Sequence, residues 1–278
     1  MSTEMSFLDI VQQHLDSKNT HLPPFDTTAQ RVRQEIMKED PDIQLIEQLI
    51  VRDQAMTGQV LRVANSSFYQ GLVKVSTVRN AILRLGINEV SNMVTLVTQE
   101  KNFQSKDPYV NGIMRELWRH SVSCGVGAHW LAKQGGFPSL AHEVFFAGLL
   151  HDVGKLFILG VVEDIRRNGN GGQQPSNAML DEVMRSMHGK HGYALLKNWN
   201  LPDRYCNVAR DHHAEEFDPK DFLLLIVRLA DHACNKVGIG ATADPAVALS
   251  ALPEAKILGF SDVDLAQFEI QLEDLPLC

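Results

Sequence analysis

Apolar and polar positions recur along this chain with the period of a helix nearly everywhere. "TTAQRVRQEIMKED" places Val32 and Ile36 four residues apart on one face, with charges opposite. "IQLIEQLIVRD" repeats the spacing through Leu45, Ile46, Leu49 and Ile50. "MTGQVLRVAN" and "STVRNAILRLG" follow, the second with Ser76 as expected N-cap and Gly86 as C-terminal stop. "NEVSNMVTLVTQEKNF" is partly β-branched, but its length favours a helix. A long amphipathic run covers residues 109–133, and the loop "KQGGFPS" separates it from "EVFFAGLLHDVGKLFILG". Residues 166–177, "RRNGNGGQQPSN", have almost nothing to bury and read as a surface loop. Further helices are expected over "AMLDEVMRSMHGKHGYALLKNW", with Gly189 a candidate break, over "PDRYCNVARDHH" and over "DFLLLIVRLADHACNKVG". The tail reads as short helices, with Ser261 capping the last. Sustained two-residue alternation is missing, so the expected class is all-α. A change of character near residue 110 predicts an N-terminal extension over 1–20, a helical part over 21–110, and a second helical part over 111–278 that carries the chemistry.

Composition narrows the function. The chain has 278 residues, 44% hydrophobic and 22% charged, with a formal net charge of −8. No long basic stripe is present, so nucleic-acid binding lacks its electrostatic footprint. Cys124, Cys206, Cys234 and Cys278 are scattered without a C-x-x-C pair and read as free thiols of a reducing cytoplasm. The N-terminus lacks the features of a signal peptide, and no uninterrupted apolar run reaches membrane-spanning length. The expected setting is the cytoplasm, with no membrane partner.

Of eleven histidines, only His14 and His21 lie outside residues 120–232. His151 and Asp152 sit inside one of the most apolar stretches of the chain, where unpaired polar groups cost several kcal/mol. Either they satisfy each other and the backbone, or a metal ion binds them; taken alone, the two readings balance. Lys155 stands one turn beyond His151, placed to meet a phosphate oxygen or to reach water. Gly148 and Gly154 flank the pair and let another helix or a ligand approach closely. His120, His188, His212, His213 and Asp231 also occupy apolar or helix-terminal positions of separate helices. Bundles build core metal sites this way, from inward side chains on facing helices. Trp118, Trp130 and Trp199 read as core aromatics, and in "ANSSFY" Asn65 and Ser66 read as a helix end over packed Phe68 and Tyr69.

The order His120, His151–Asp152, Asp231 resembles the HD superfamily of metal-dependent phosphohydrolases, which are all-α bundles with a metal on those ligands. "LPPFDTTAQRV", "LIVRDQAMTGQVLRVANSSFY", "VSTVRNAILRLG" and "HGYALLKNWNLP" followed by "HH" resemble the HDOD family, a bacterial branch associated with signalling output. The resemblance covers roughly residues 20–235. By comparison with the HD-GYP branch, which hydrolyses cyclic dinucleotides, His188, His212 and His213 are implied as additional metal ligands. Glu215 matches that branch's acidic position only loosely, and no "GYP" follows "HHAEEFDPKDF", which counts against cyclic-dinucleotide hydrolysis. His191 has no clear family role and is taken as core or surface.

Two functions follow. The first is a regulatory signal-transduction module that keeps an HD-type metal site and works through a signalling-protein partner. The second is a metal-dependent phosphohydrolase acting on a nucleotide or cyclic-dinucleotide phosphoester, with Asp152 and Lys155 in catalytic roles. Either takes one or two divalent transition-metal ions, since nitrogen and carboxylate ligands suit Fe, Mn, Zn, Ni or Co.

Overall fold

The computed structural model describes residues 6–15, 23–66, 69, 71, 73–168, 176–240 and 243–275. Among them every regular element is helical, and no strand occurs. The fourteen α-helices among the described residues form two compact units, Pro24–Asn102 and Phe103–Leu275, the latter joined by the first helix.

That first helix, α1 (Phe7–Leu15), packs on α9 (Val153–Asn168) and α10 (Asn177–Asn198). Within Pro24–Asn102 lie α2 (Thr27–Ile36), α3 (Ile43–Val51), α4 (Gln54–Ala64), α5 (Val78–Leu85) and α6 (Ile87–Gln99), with α6 against α2, α4 and α5. Their starts are fixed by side chains that accept the otherwise unpaired first backbone N–H groups. Asp26, Asp42 and Asp53 do this for α2, α3 and α4. Thr77, not Ser76, caps α5, accepting from the Asn80 N–H at 3.1 Å. Gly86 ends α5 at φ 90°, a conformation other residues adopt only with strain.

Asn65 terminates α4 and also pins the irregular segment at Val75. Its Nδ2 donates to the carbonyls of Leu61 (2.8 Å) and Val75 (2.9 Å), and its Oδ1 accepts from the Val75 N–H at 2.8 Å. Asn65→Ala removes three hydrogen bonds and strands the buried Val75 backbone, so it should cost about 1–3 kcal/mol in a urea denaturation series. A loss near zero would mean that water replaces the amide. Phe68 lies outside the described residues.

The second unit is built on α7 (Pro108–Gln134), α8 (Ala141–Leu150), α9, α10, α11 (Asp203–Asp211) and α12 (Phe222–Lys236), followed by α13 (Pro253–Leu258) and α14 (Asp262–Glu273). Beyond His142 and Glu143 in its first turn, α8 is apolar on all sides because α7, α11 and α12 surround it. Residues 138–167 are apolar enough and long enough to cross a membrane, but 89% of their most apolar window is buried inside the protein. α10 runs unbroken through Gly189, whose missing side chain makes room for the Arg210 carbonyl. Trp199 is buried, whereas Trp118 and Trp130 are half-buried against Phe103 and Phe268. Ser261 caps α14 in a reciprocal box with Asp264.

Candidate metal centre

The apolar stretch around His151 and Asp152 is not one helix. α8 ends at Leu150, α9 begins at Val153, and the two polar residues form the turn between them. The break frees both side chains to reach one place, which adjacent positions of a straight helix do less easily. Glycines bring the neighbouring helices up to this turn. A Cβ on Gly148 would stand 3.0 Å from the Cys124 carbonyl oxygen and the Gly125 Cα, so α7 and α8 cross backbone against backbone. A Cβ on Gly154 would stand 2.0 Å from the His188 carbonyl oxygen, so α9 and α10 meet in the same way.

Five elements thereby converge. α7 supplies His120, the α8–α9 turn His151 and Asp152, α10 His188, the end of α11 His212 and His213, and α12 Asp231. All are buried except His213, which is about half exposed. They form two groups whose ligand atoms lie within 4.8 Å of one another: His120, His151 and Asp231, and Asp152, His188, His212 and His213.

Hydrogen bonds fix the tautomers. A backbone carbonyl only accepts, so the nitrogen facing it carries the proton. The Nδ1–H of His120 donates to Ile239 O (2.9 Å), of His151 to Gly148 O (2.7 Å), of His188 to Met184 O (2.7 Å) and of His212 to Val208 and Ala209 O (3.1 Å each). In the neutral ring each Nε2 is then left with its lone pair. These nitrogens face each other, 3.4 Å apart for His120 and His151 and 3.1 Å for His188 and His212. Two lone pairs so close repel unless a proton or a metal ion lies between them. Tetrahedral nitrogen ligands on a transition metal stand about 3.3 Å apart, given metal–nitrogen bonds of about 2.0–2.1 Å.

Asp152 spans both groups. Its Oδ2 is 3.6 and 3.5 Å from the Nε2 atoms of His120 and His151, and its Oδ1 is 3.5 Å from those of His188 and His212. Oδ1 is fully buried and accepts no hydrogen bond, a costly state for a carboxylate oxygen without a cation. Oδ2 also takes the Lys155 ammonium at 2.6 Å. Asp231 Oδ1 lies 3.1 Å from His120 Nε2 and accepts from Asn235 Nδ2 at 3.0 Å.

The electrostatics suit cation binding. Burial pulls the Asp152 carboxyl up, but the Lys155 charge and the surrounding imidazoles hold it well below the usual range. Burial likewise raises Asp231, and the imidazoles, His120 first and then His151 and His213, more than reverse it. Burial pushes His188 down to about 4 and His212 to about 3, with Asp152 offsetting only part, so both are neutral at pH 7 and present lone pairs. His151 and His213 are lowered for the same first reason. His120 moves the other way. Burial lowers it, but its hydrogen bond to Asp231 and the charges of both aspartates raise it overall. The donor set, all imidazole and carboxylate, fits a divalent transition metal.

Several contributors were not singled out from the sequence. Asn235 follows Asp231 by one helical turn, a spacing that marks it in retrospect. Gly240, at φ 130°, leaves room for the His120 ring, since a Cβ there would lie 2.9 Å from Nδ1. Arg228 holds the chain at His212. Glu215 is exposed and stands outside both groups, and His191 is buried near Phe157. Among the described residues, Lys155, Asp152, His120, Ile113, Leu117, Met184 and Asn235 line a cavity of about 30 Å³.

The chain resembles several known proteins. It is 28% identical over 198 residues to an uncharacterised protein of Treponema pallidum, covering 69% of this chain but only 38% of that relative's length. A crystal structure of an HDOD domain protein of unknown function from Geobacter sulfurreducens superposes with a TM-score of 0.74 at 22% identity, covering 96% of this chain and 93% of that one. A Shewanella amazonensis protein, provisionally assigned as a metal-dependent phosphohydrolase, gives 0.70 at 20% identity over 95% and 97%. A Marinobacter aquaeolei protein, provisionally assigned to signal transduction, gives 0.67 at 20% identity over 98% of this chain and 59% of that one. At these identities the structures establish the all-α fold. The HDOD domain family model matches residues 22–215, well over half of the chain, and the protein belongs to the HDOD family.

Proposed function

We propose that this chain is a regulatory protein of bacterial signal transduction whose HD-type centre holds divalent transition-metal ions. His120, His151, Asp231 and Asp152 would hold one ion, and Asp152, His188, His212 and His213 a second. The observation that carries this reading is the Asp152 carboxylate, each oxygen of which faces a different pair of imidazole lone pairs. A bound ion of this kind supplies Lewis-acid charge and polarises water. The protein's own part is to orient the imidazoles through backbone carbonyls and to shield the carboxylates from bulk water.

Regulation is favoured over turnover by size. A nucleotide-sized ligand takes a pocket of about 300–1,000 Å³. The cavity beside Asp152 and Lys155, at about 30 Å³, has room for little more than water. Lys155 is engaged by Asp152 rather than directed at a ligand. Output would then pass through a signalling-protein partner, in keeping with the signal-transduction assignment of the Marinobacter neighbour. The buried free thiols of Cys124, Cys206 and Cys234 suit a cytoplasmic setting.

The alternative, a metal-dependent phosphohydrolase with Asp152 and Lys155 as catalytic residues and a nucleotide or other phosphoester as substrate, is favoured by one feature. His213 is about half exposed, so solvent reaches the second group. Metal analysis of the purified full chain should find one or two transition-metal ions. The loaded protein should hydrolyse p-nitrophenyl phosphate, bis-p-nitrophenyl phosphate and cyclic dinucleotides no faster than free metal. A folded protein without metal would overturn the metal centre, and saturable turnover would favour the enzyme.

A further inference from the structure

Arg228 is buried on α12, three residues before Asp231. Its Nε donates to Glu254 Oε1 at 2.5 Å. Its Nη1 donates to the carbonyls of His212 (2.9 Å), Ala214 (2.8 Å) and Asp211 (3.3 Å). Its guanidinium carbon lies 4.5 Å from the centre of the Phe217 ring. The carbonyls it gathers lie at and just beyond the end of α11, where a helix leaves its last C=O groups without intrahelical partners. A cation there is favoured by the helix dipole. This is also the turn that presents His212 and His213.

One helix thus serves both ligand groups. Asp231 enters the first, and Arg228, one turn earlier, grips the backbone of the second. Stability alone is a poor reason for such a pair, because well-packed apolar residues often replace a buried ion pair at no cost. Glu254 adds to the oddity: its Oε2 is buried and has no hydrogen-bond partner among the described residues, where the carboxylate is held through Arg228. Glu254 belongs to α13, beyond the residues 22–215 matched by the family model.

We propose that Arg228 is the positioning residue of the Asp152–His188–His212–His213 group, and that Glu254 positions Arg228, so that the segment bearing α13 sets how tightly the second ion is held. This rests on the metal-centre reading above. The ion's affinity depends on where His212 and His213 stand relative to Asp152. That placement is fixed by the three carbonyls in the arginine's grip. Movement of α13 would therefore reach the second ion and leave the first alone.

The test is titration of the metal-free full chain with Co²⁺, followed by visible absorption and calorimetry, with circular dichroism to confirm folding. The wild type should bind two ions. Arg228→Met/Glu254→Met leaves no charge unpaired. It should bind the first ion as the wild type does and the second about 10–100-fold more weakly, the usual effect of losing an outer-shell partner. Glu254→Gln should weaken the second ion by a smaller factor, and this variant carries the test if the double variant does not fold. Unchanged affinity for the second ion, or equal weakening of both, overturns the inference while the metal centre stands. A wild type that binds no Co²⁺ overturns both.

Discussion

Asp152→Ala should leave the chain free of metal where the wild type holds one ion in each group. The other candidate ligands belong to one group apiece, whereas Asp152 faces four imidazoles, two through each oxygen. Asp231→Ala should therefore empty only the first group, and His188→Ala only the second. Loss of an outer-shell partner costs about 10–100-fold in metal affinity, and loss of a shared ligand should exceed that for both ions. Metal content by mass spectrometry separates the three variants. Thermal unfolding supplies a second readout. An ion present at a hundredfold excess over its Kd stabilises the native state by about 2.7 kcal/mol, so a chelator should lower the wild-type Tm and leave that of Asp152→Ala unchanged. The substitution has an independent cost, since Lys155 loses its 2.6 Å partner. Asp152→Asn keeps the shape with less charge and should show the same loss of metal. If Asp152→Ala retains its ions, the carboxylate is structural and the two groups are not a shared centre.

The helices and the buried polar residues that converge were legible in the sequence for one reason: each is a departure from a simple pattern. Three-to-four-residue spacing of apolar positions marks a helix, and a histidine or aspartate on its apolar face marks a group that needs a partner. What connects those groups was not legible. Nothing in "LLHDVGK" distinguishes a continuous apolar helix from two helices joined at His151 and Asp152, because both bury the same residues. Arg228 looks like any arginine whose stem lies along an apolar helix. Its role depends on the end of α11 and on Glu254, the latter 26 positions away. Gly240 and the Ile239 carbonyl orient His120 across 119 residues of chain, a relation without local trace. Even the caps show the same boundary. Aspartates ahead of apolar runs are readable, but whether Ser76 or Thr77 starts α5 depends on backbone angles that adjacent hydroxyl residues leave open.

Gly154→Ala should be among the most damaging single-methyl additions in the protein. The added Cβ would lie 2.0 Å from the His188 carbonyl oxygen and 2.7 Å from the Gly192 nitrogen. Both are backbone atoms of α10, so no side-chain rotation relieves the overlap, and α9 and α10 must separate. Overpacking of well-filled sites costs about 1–3 kcal/mol and occasionally more, and a backbone clash belongs at the upper end. For a unit of this size a loss of about 3 kcal/mol lowers Tm by about 6–12 °C. Separation also carries His188 away from Asp152, so the second ion should be lost with the first retained. Gly160, on the same helix, is the internal control, because a Cβ there meets nothing within 4 Å. Gly160→Ala should be neutral or stabilising by about 0.5–1 kcal/mol, the helix preference of alanine over glycine. The two substitutions are identical in chemistry and lie six residues apart, so intrinsic propensity predicts the same sign for both. Opposite signs, with metal lost only at position 154, would show that close approach of α9 and α10 at Gly154 holds the second ligand group together. Equal effects would mean that α10 yields easily, and that His188 is placed by contacts other than this crossing.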